Sequence, residues 1–261
     1  MVRGERAGAP RTDFGMKVSE ALARMRALPV RDLDDIVGDG AAVVLAPHPD
    51  DESLGCGGLI AESCARGRPP TVIFITDGSG SHPNSRMFPP ERLRRTRAEE
   101  ARAALRILGL TTPNNIAFLG LRDTAAPHLG RAFEEAVDSV AGIIPPGKRG
   151  AIFAPWRYDP HGDHVATHRI AEAVARRLRL RHLSYPVWGW TLPPSGDLDG
   201  TINGARLDIG RHLAAKQRAI AAHRSQHGEL ITDDPDGVHL SNDMLAFFRT
   251  SFEVFLSNDD A

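Results

Sequence analysis

His48, Asp50, Asp51 and Glu52 stand together in Ala46-Pro47-His48-Pro49-Asp50-Asp51-Glu52, and about 110 residues later His161, Asp163 and His164 stand together in His161-Gly162-Asp163-His164. Imidazoles mixed with carboxylates suit zinc, with Fe(II) or another borderline divalent ion as alternatives. Three protein ligands would leave one coordination position open to water, the pattern of a catalytic rather than a structural site. The two clusters therefore read as the halves of a mononuclear metal hydrolase. Zinc lowers the pKa of a bound water from about 15.7 toward 7, and an adjacent carboxylate that does not itself ligate can then accept the proton.

The elements around the clusters must bring them to one place. Apolar, β-branched runs at 41–46, 71–76, 116–119 and 151–155 predict strands, with helical patterns between them at about 55–66, 90–108 and 131–143. A helix over 164–178 leads to a further strand at 182–187, followed by a loop over 190–200 and helical segments at 212–226 and 242–249. Strands alternating with helices imply the α/β class with a mostly parallel sheet. In such sheets the ligand crevice lies beyond the carboxyl ends of the strands. The first cluster follows the first strand and the second follows the fourth, so a metal would bridge two neighbouring loops.

A length of 261 residues, 41% hydrophobic and 25% charged, is that of one soluble compact unit. The expected organisation is a flexible tail at 1–16 and a single domain at 17–261, which opens on a helix over 17–28 with Val18, Leu22 and Met25 on one face. A formal net charge of -1 carries no electrostatic footprint for nucleic acid. The two cysteines, Cys56 and Cys64, form no disulfide framework and fit a reducing, cytoplasmic setting. No run approaches the roughly 18 apolar residues of a membrane span.

The motif from Ala46 to Glu52 with Gly55 and Gly57-Gly58, followed by His161-Gly162-Asp163-His164, resembles the LmbE/PIG-L family of zinc-dependent de-N-acetylases. Thr76-Asp77-Gly78, Arg97-Ala98-Glu99-Glu100, Lys216 and His223-Arg224-Ser225-Gln226 are similar too, so the resemblance covers roughly residues 40 to 228. It implies a Rossmann-like three-layer sandwich, one metal ion, and removal of an N-acetyl group from an amino sugar such as N-acetylglucosamine, a glycoside or a related small molecule. It assigns His48, Asp51 and His164 as metal ligands and Asp50 as general base. His161 would stabilise the tetrahedral oxyanion and protonate the departing amine, with Asp163 holding its imidazolium form. Gly162 stands where many family members have proline.

Each assignment has a plainer competitor. Asp50, Asp51 and Glu52 could cap a helix beginning near Ser53, and Glu52 divides between capping and support of the site. His168 shares a helix face with His164 and reads as a packing residue before a second ligand. Gly55 to Gly58 lacks the spacing and lysine of a nucleotide loop and reads as close helix packing. Arg97 and Glu100 could be a solvated helix face, His223 and Gln226 a structural hydrogen bond, and Trp156, Trp188 and Trp190 core. Stretches 79–90, 122–130 and 190–205 are expected to set substrate choice. Two other functions use the same residues: a metal-dependent esterase or phosphoesterase, and a non-catalytic Rossmann-like binding module. The partner expected is a sugar-containing N-acetylated small molecule, with no nucleic acid and no membrane span, and a homo-oligomer stays open.

Overall fold

The sequence Ala-Ala-Val-Val-Leu-Ala at 41–46 carries no polar side chain, and a strand of that kind is stable only with both faces covered. The computed structural model, which describes residues 15–146 and 149–258, buries it at the centre of a sheet. In chain order the elements are β1 (Gly15–Lys17), α1 (Val18–Ala27), β2 (Val30–Arg31), α2 (Leu33–Val37), β3 (Ala41–Ala46), α3 (Asp51–Ala65), β4 (Thr71–Thr76), α4 (Pro90–Ile107) and β5 (Ile116–Leu121). They continue with α5 (Gly130–Ile143), β6 (Arg149–Pro155), α6 (Gly162–Leu178), β7 (Arg181–Tyr185), β8 (Asp197–Asp199), β9 (Gly204–Asp208), α7 (Leu213–Ala222), α8 (Asn242–Ala246) and β10 (Phe252–Ser257).

Successive strand residues face opposite ways, and the core divides accordingly. Val44, Ala46, Phe74 and Phe153 pack with Leu59 of α3, Leu105 of α4 and Ile220 of α7. Val43, Leu45, Ile73 and Ile152 pack with Val140 of α5 and Ile170 of α6 on the other side. The result is the three-layer α/β sandwich expected. A third cluster seats α1, with Val18, Leu22 and Met25 buried beside Trp156, Leu198 and Val254.

The sheet runs β2-β9-β10-β7-β6-β3-β4-β5. Its stretch from β7 to β5 is parallel, and β10 is antiparallel to both β7 and β9. Chain order reverses between β3 and β6, which pair directly through Val43↔Ile152 and Val44↔Phe153. A crevice opens at such a switch point, and both chemical clusters sit on the loops that flank it.

Three differences from the sequence reading have physical reasons. The helix expected from residue 55 begins at Asp51. Its glycines weaken the helical signal, yet they are required: a Cβ on Gly55 would lie 2.1 Å from Tyr185 Cδ2, and one on Gly58 2.3 Å from Ile209 Cγ2. The stretch 190–200 contains β8, which pairs with β1, so Gly15 and Met16 belong to the fold; the rest of the expected tail, 1–14, lies outside the described residues. Strands β9 and β10 widen the sheet beyond the expected set. No helix among the described residues is long and apolar enough to cross a membrane.

Candidate metal centre

Strand β3 ends at Ala46, and the next turn is fixed from its neighbour: Thr76 donates from its backbone N and its Oγ1 to the Pro47 carbonyl at 2.9 and 2.8 Å. Asp51, the first residue of α3, folds its Oδ2 back to accept from the His48 backbone N at 3.0 Å. On the other side of the crevice, His161 caps α6 by accepting from the Asp163 backbone N at 3.2 Å, which places His164 in the first turn.

Asp51 Oδ2 then lies 3.2 Å from His48 Nδ1 and 3.3 Å from His164 Nε2. One ring nitrogen from each of His48, His161 and His164 falls within 4.8 Å of the others. The outer nitrogens are held by acids. His48 Nε2 is 3.1 Å from Asp163 Oδ2 and 3.2 Å from Asp123 Oδ1, while His164 Nδ1 is 2.9 Å from Asp159 Oδ2. A metal-ligating histidine characteristically gives its far N–H to a carboxylate and keeps the near nitrogen for the ion. His164 Nε2 is fully buried and, among the described residues, makes no hydrogen bond. A buried orphan of that kind calls for a missing partner, and beside a shared carboxylate oxygen the donor set fits a divalent cation.

The electrostatics follow from this crowding. Burial lowers the His48 pKa, but hydrogen bonds to Asp123, Asp163 and Asp51 outweigh it and leave the group well above its ordinary value. His164 is likewise pulled down by burial and carried up to about 9 by Asp51 and Asp159. Asp51 resists the upward effect of burial and stays well below the usual range because His164 and His48 face it. Asp50 goes the other way: burial pushes its carboxyl up to about 6, against the pull of Arg97. His161 is lowered by burial and by the neighbouring imidazoles.

Asp50 adopts φ 148° and Thr124 φ 67°, and both line a cavity of about 330 Å³ with His48, Asp51 and His161. Left-handed backbone at non-glycine residues is costly and gathers where the surroundings impose a function. The Asp50 side chain makes no helix-capping bond, so the capping alternative does not describe it. Its Oδ2 instead faces Arg97 Nη2 at 3.2 Å.

Several expected neighbours take other positions. Asp163 was expected to hold His161; its carboxylate instead meets His48 and accepts from the backbone N of Thr124 at 2.7 Å and of Ala126 at 3.0 Å. The first turn of α6 directs it across the crevice, and His161 meets only its backbone N among the hydrogen bonds of the described residues. Arg97 is no solvated residue: it is 2% exposed and donates to the carbonyls of Gly78 and Pro49. Glu100 accepts from Ser225 N and Oγ. Glu52 accepts from the Asp50 backbone N at 2.9 Å and meets His223 Nε2 at 2.9 Å, which supports the strained turn. His168 faces away from the centre, its Nδ1 donating to the Pro155 carbonyl at 3.0 Å. Gln226 lines the cavity, and Trp156 is core.

Sequence reasoning missed Asp123 and Asp159. Asp123 lies in the 122–130 stretch and Asp159 four residues past β6, so the available signal was an acid close after a strand's carboxyl end. Of the loops expected to shape the pocket, 79–90 contributes Gly80 and Ser81, and 122–130 contributes Asp123 and Thr124. The third does not: Trp188 lines this cavity, whereas Trp190 turns to a separate one.

The family described as GlcNAc-PI de-N-acetylase (PIG-L) matches residues 43–175. The chain is 31% identical over 245 residues to a 1D-myo-inositol 2-acetamido-2-deoxy-alpha-D-glucopyranoside deacetylase of Mycolicibacterium gilvum, covering 76% of this chain and 84% of that one. The protein of the same name from Actinosynnema mirum is 30% identical over 227 residues, covering 69% and 78%. N,N'-diacetylchitobiose deacetylase from Pyrococcus horikoshii shares the fold, with a TM-score of 0.59 at 23% identity over 86% of each chain.

Proposed function

The chain belongs to the PIG-L family of de-N-acetylases, and from that premise we propose that it hydrolyses the acetamide of an N-acetylated amino-sugar glycoside with one zinc ion held by His48, Asp51 and His164. The observation that carries this reading is the single oxygen, Asp51 Oδ2, set between His48 Nδ1 and His164 Nε2 with Asp50 facing the same cavity. A divalent ion in that place supplies Lewis acidity, lowering the pKa of water and polarising an amide carbonyl.

The remaining chemistry is the protein's own. Asp50, made more basic than an ordinary aspartate by burial, takes the proton from the attacking water, and Arg97 keeps its carboxylate aimed into the cavity. His161 uses Nδ1 to accept from the Asp163 backbone N, so its neutral form carries the proton on Nε2 and can donate it to the oxyanion that develops on the acetyl carbon. The proton gained by Asp50 then passes to the departing amine, which leaves as acetate separates. Asp163 and Asp159 do not touch the substrate; they fix the rings of His48 and His164.

Asp123 and Gln226 on the cavity wall offer polar partners to sugar hydroxyls, and Trp188 offers a face for a sugar ring. The relatives' substrates make a GlcNAc-inositol and N,N'-diacetylchitobiose the first compounds to try. The free thiols of Cys56 and Cys64 support a reducing, cytoplasmic setting for the reaction. The test is amine release from these compounds by protein stripped with a chelator and then given zinc, Fe(II) or no metal. Release restored by zinc supports the reading, and release independent of added metal or confined to esters and phosphoesters overturns it.

A further inference from the structure

A second cavity, of about 420 Å³, lies between α1, α8 and the β9–β10 edge, and it shares only Leu54 with the residues around the metal centre. Its size is that of a small-molecule pocket. Its walls are aromatic: Trp190 stacks on Phe247 with ring centroids 6.1 Å apart, and Phe252 completes the side near β10. Its cations are arranged on those rings. The Arg26 guanidinium lies 5.4 Å from the Trp190 centroid, and that of Arg206 lies 4.7 Å from Phe252.

The charges in this cavity do not cancel. Lys216 Nζ is neutralised by Glu253 at 2.6 Å, and Glu253 also accepts from the backbone N of Gly58 and Leu59 in α3. Among the described residues, no carboxylate lies within ion-pair distance of Arg26 or Arg206. Asp243 is the one other acid on the lining, which leaves two unpaired guanidiniums against one carboxylate. Arg206 is also held in place, because its Nε donates to the Leu28 carbonyl at 2.7 Å while its terminal nitrogens stay available. A guanidinium fork prefers a planar two-oxygen anion, and aromatic walls prefer a flat ring.

We propose that this cavity is a binding site for a small aromatic carboxylate, whose ring lies among Trp190, Phe247 and Phe252 and whose carboxylate meets Arg26 and Arg206. The site is separate from the deacetylation centre and does not depend on the reaction assigned there. Its occupant would touch Leu54, three residues after Asp51 on the same helix.

Calorimetric titration of the intact protein with 2-naphthoate, 2-naphthylmethanol and acetate tests it. We expect 2-naphthoate to bind roughly tenfold or more tightly than the neutral alcohol, acetate not to bind, and saturating N-acetylglucosamine to leave the naphthoate affinity unchanged. Arg206→Gln should weaken naphthoate roughly tenfold. Because Arg206 also bonds to Leu28, the exposed Arg26→Gln serves as the variant that leaves the fold intact, and it should weaken binding as well. Equal affinity for the alcohol, displacement by N-acetylglucosamine, no effect of Arg26→Gln, or no binding at millimolar naphthoate would each overturn the assignment.

Discussion

His48 with His164, and His168 with His182, are both pairs of buried imidazoles, with ring centroids 5.4 and 4.8 Å apart, yet their pKa values move in opposite directions. His164 and His168 even stand one turn apart on α6. Burial lowers all four, since it penalises the charged form. Around the first pair Asp51, Asp123, Asp159 and Asp163 more than reverse that effect. Around the second, His168 meets the Pro155 carbonyl and the Ser184 hydroxyl, and neither His182 nitrogen has a hydrogen-bond partner among the described residues. His182 accordingly falls to about 3, chiefly through burial. Depth makes a histidine neutral, and carboxylates on both sides of the ring make it a candidate ligand.

The comparison can be sharpened most strongly at Asp50, which belongs to the first region but faces the substrate side. Asp50→Asn should lower kcat by about 10²–10⁴-fold while bound metal, measured by elemental analysis, stays at the wild-type level. Next come the acids behind the rings. Asp159→Ala and Asp163→Ala should each weaken metal affinity about 10–100-fold, seen in competition with a fluorescent chelator, and excess metal should restore much of the turnover.

The second pair predicts a stability effect instead. The folded His182 pKa is depressed below the unfolded value near 6.5, so in acid the unfolded chain takes up a proton that the folded chain rejects. Its contribution is complete above pH 6.5 and is lost as the pH falls toward 3, at up to about 1.4 kcal/mol per pH unit. Denaturant titrations of chelator-treated protein between pH 7 and 4 should show that slope flattened in His182→Phe. The smallest effect belongs to the helix both pairs share. Gly162 is the first residue of α6, and a Cβ there meets nothing nearer than His128 Nε2 at 3.9 Å, so Gly162→Pro should raise stability by about 0.4–1 kcal/mol in a thermal melt.

The first region was legible in the sequence because its residues are neighbours in the chain and follow apolar strands. His48, Asp50 and Asp51 leave one strand together, and His161 and His164 begin one helix, so strand order alone brings them to one crevice. Asp123 and Asp159 were hidden because each is a lone acid in a loop, and only the folded loops show that they back His48 and His164. Asp163 was legible as part of the centre but not in its partner, since the facing of a side chain in a first helical turn depends on the opposite loop. Strand β10 was missed for a similar reason. Its Glu253 breaks an apolar pattern, and it is buried only because the α3 backbone and Lys216 satisfy it from afar. The α3 glycines concealed the start of the helix that they allow to pack against Tyr185 and Ile209.

The deciding measurement is the metal content of three purified proteins: wild type, His164→Ala and His168→Ala. One divalent ion per chain in wild type and in His168→Ala, with almost none in His164→Ala, is what the carboxylate-held pair requires. Metal retained by His164→Ala, or lost by His168→Ala, would mean that the ion does not sit where Asp51, His48 and His164 converge.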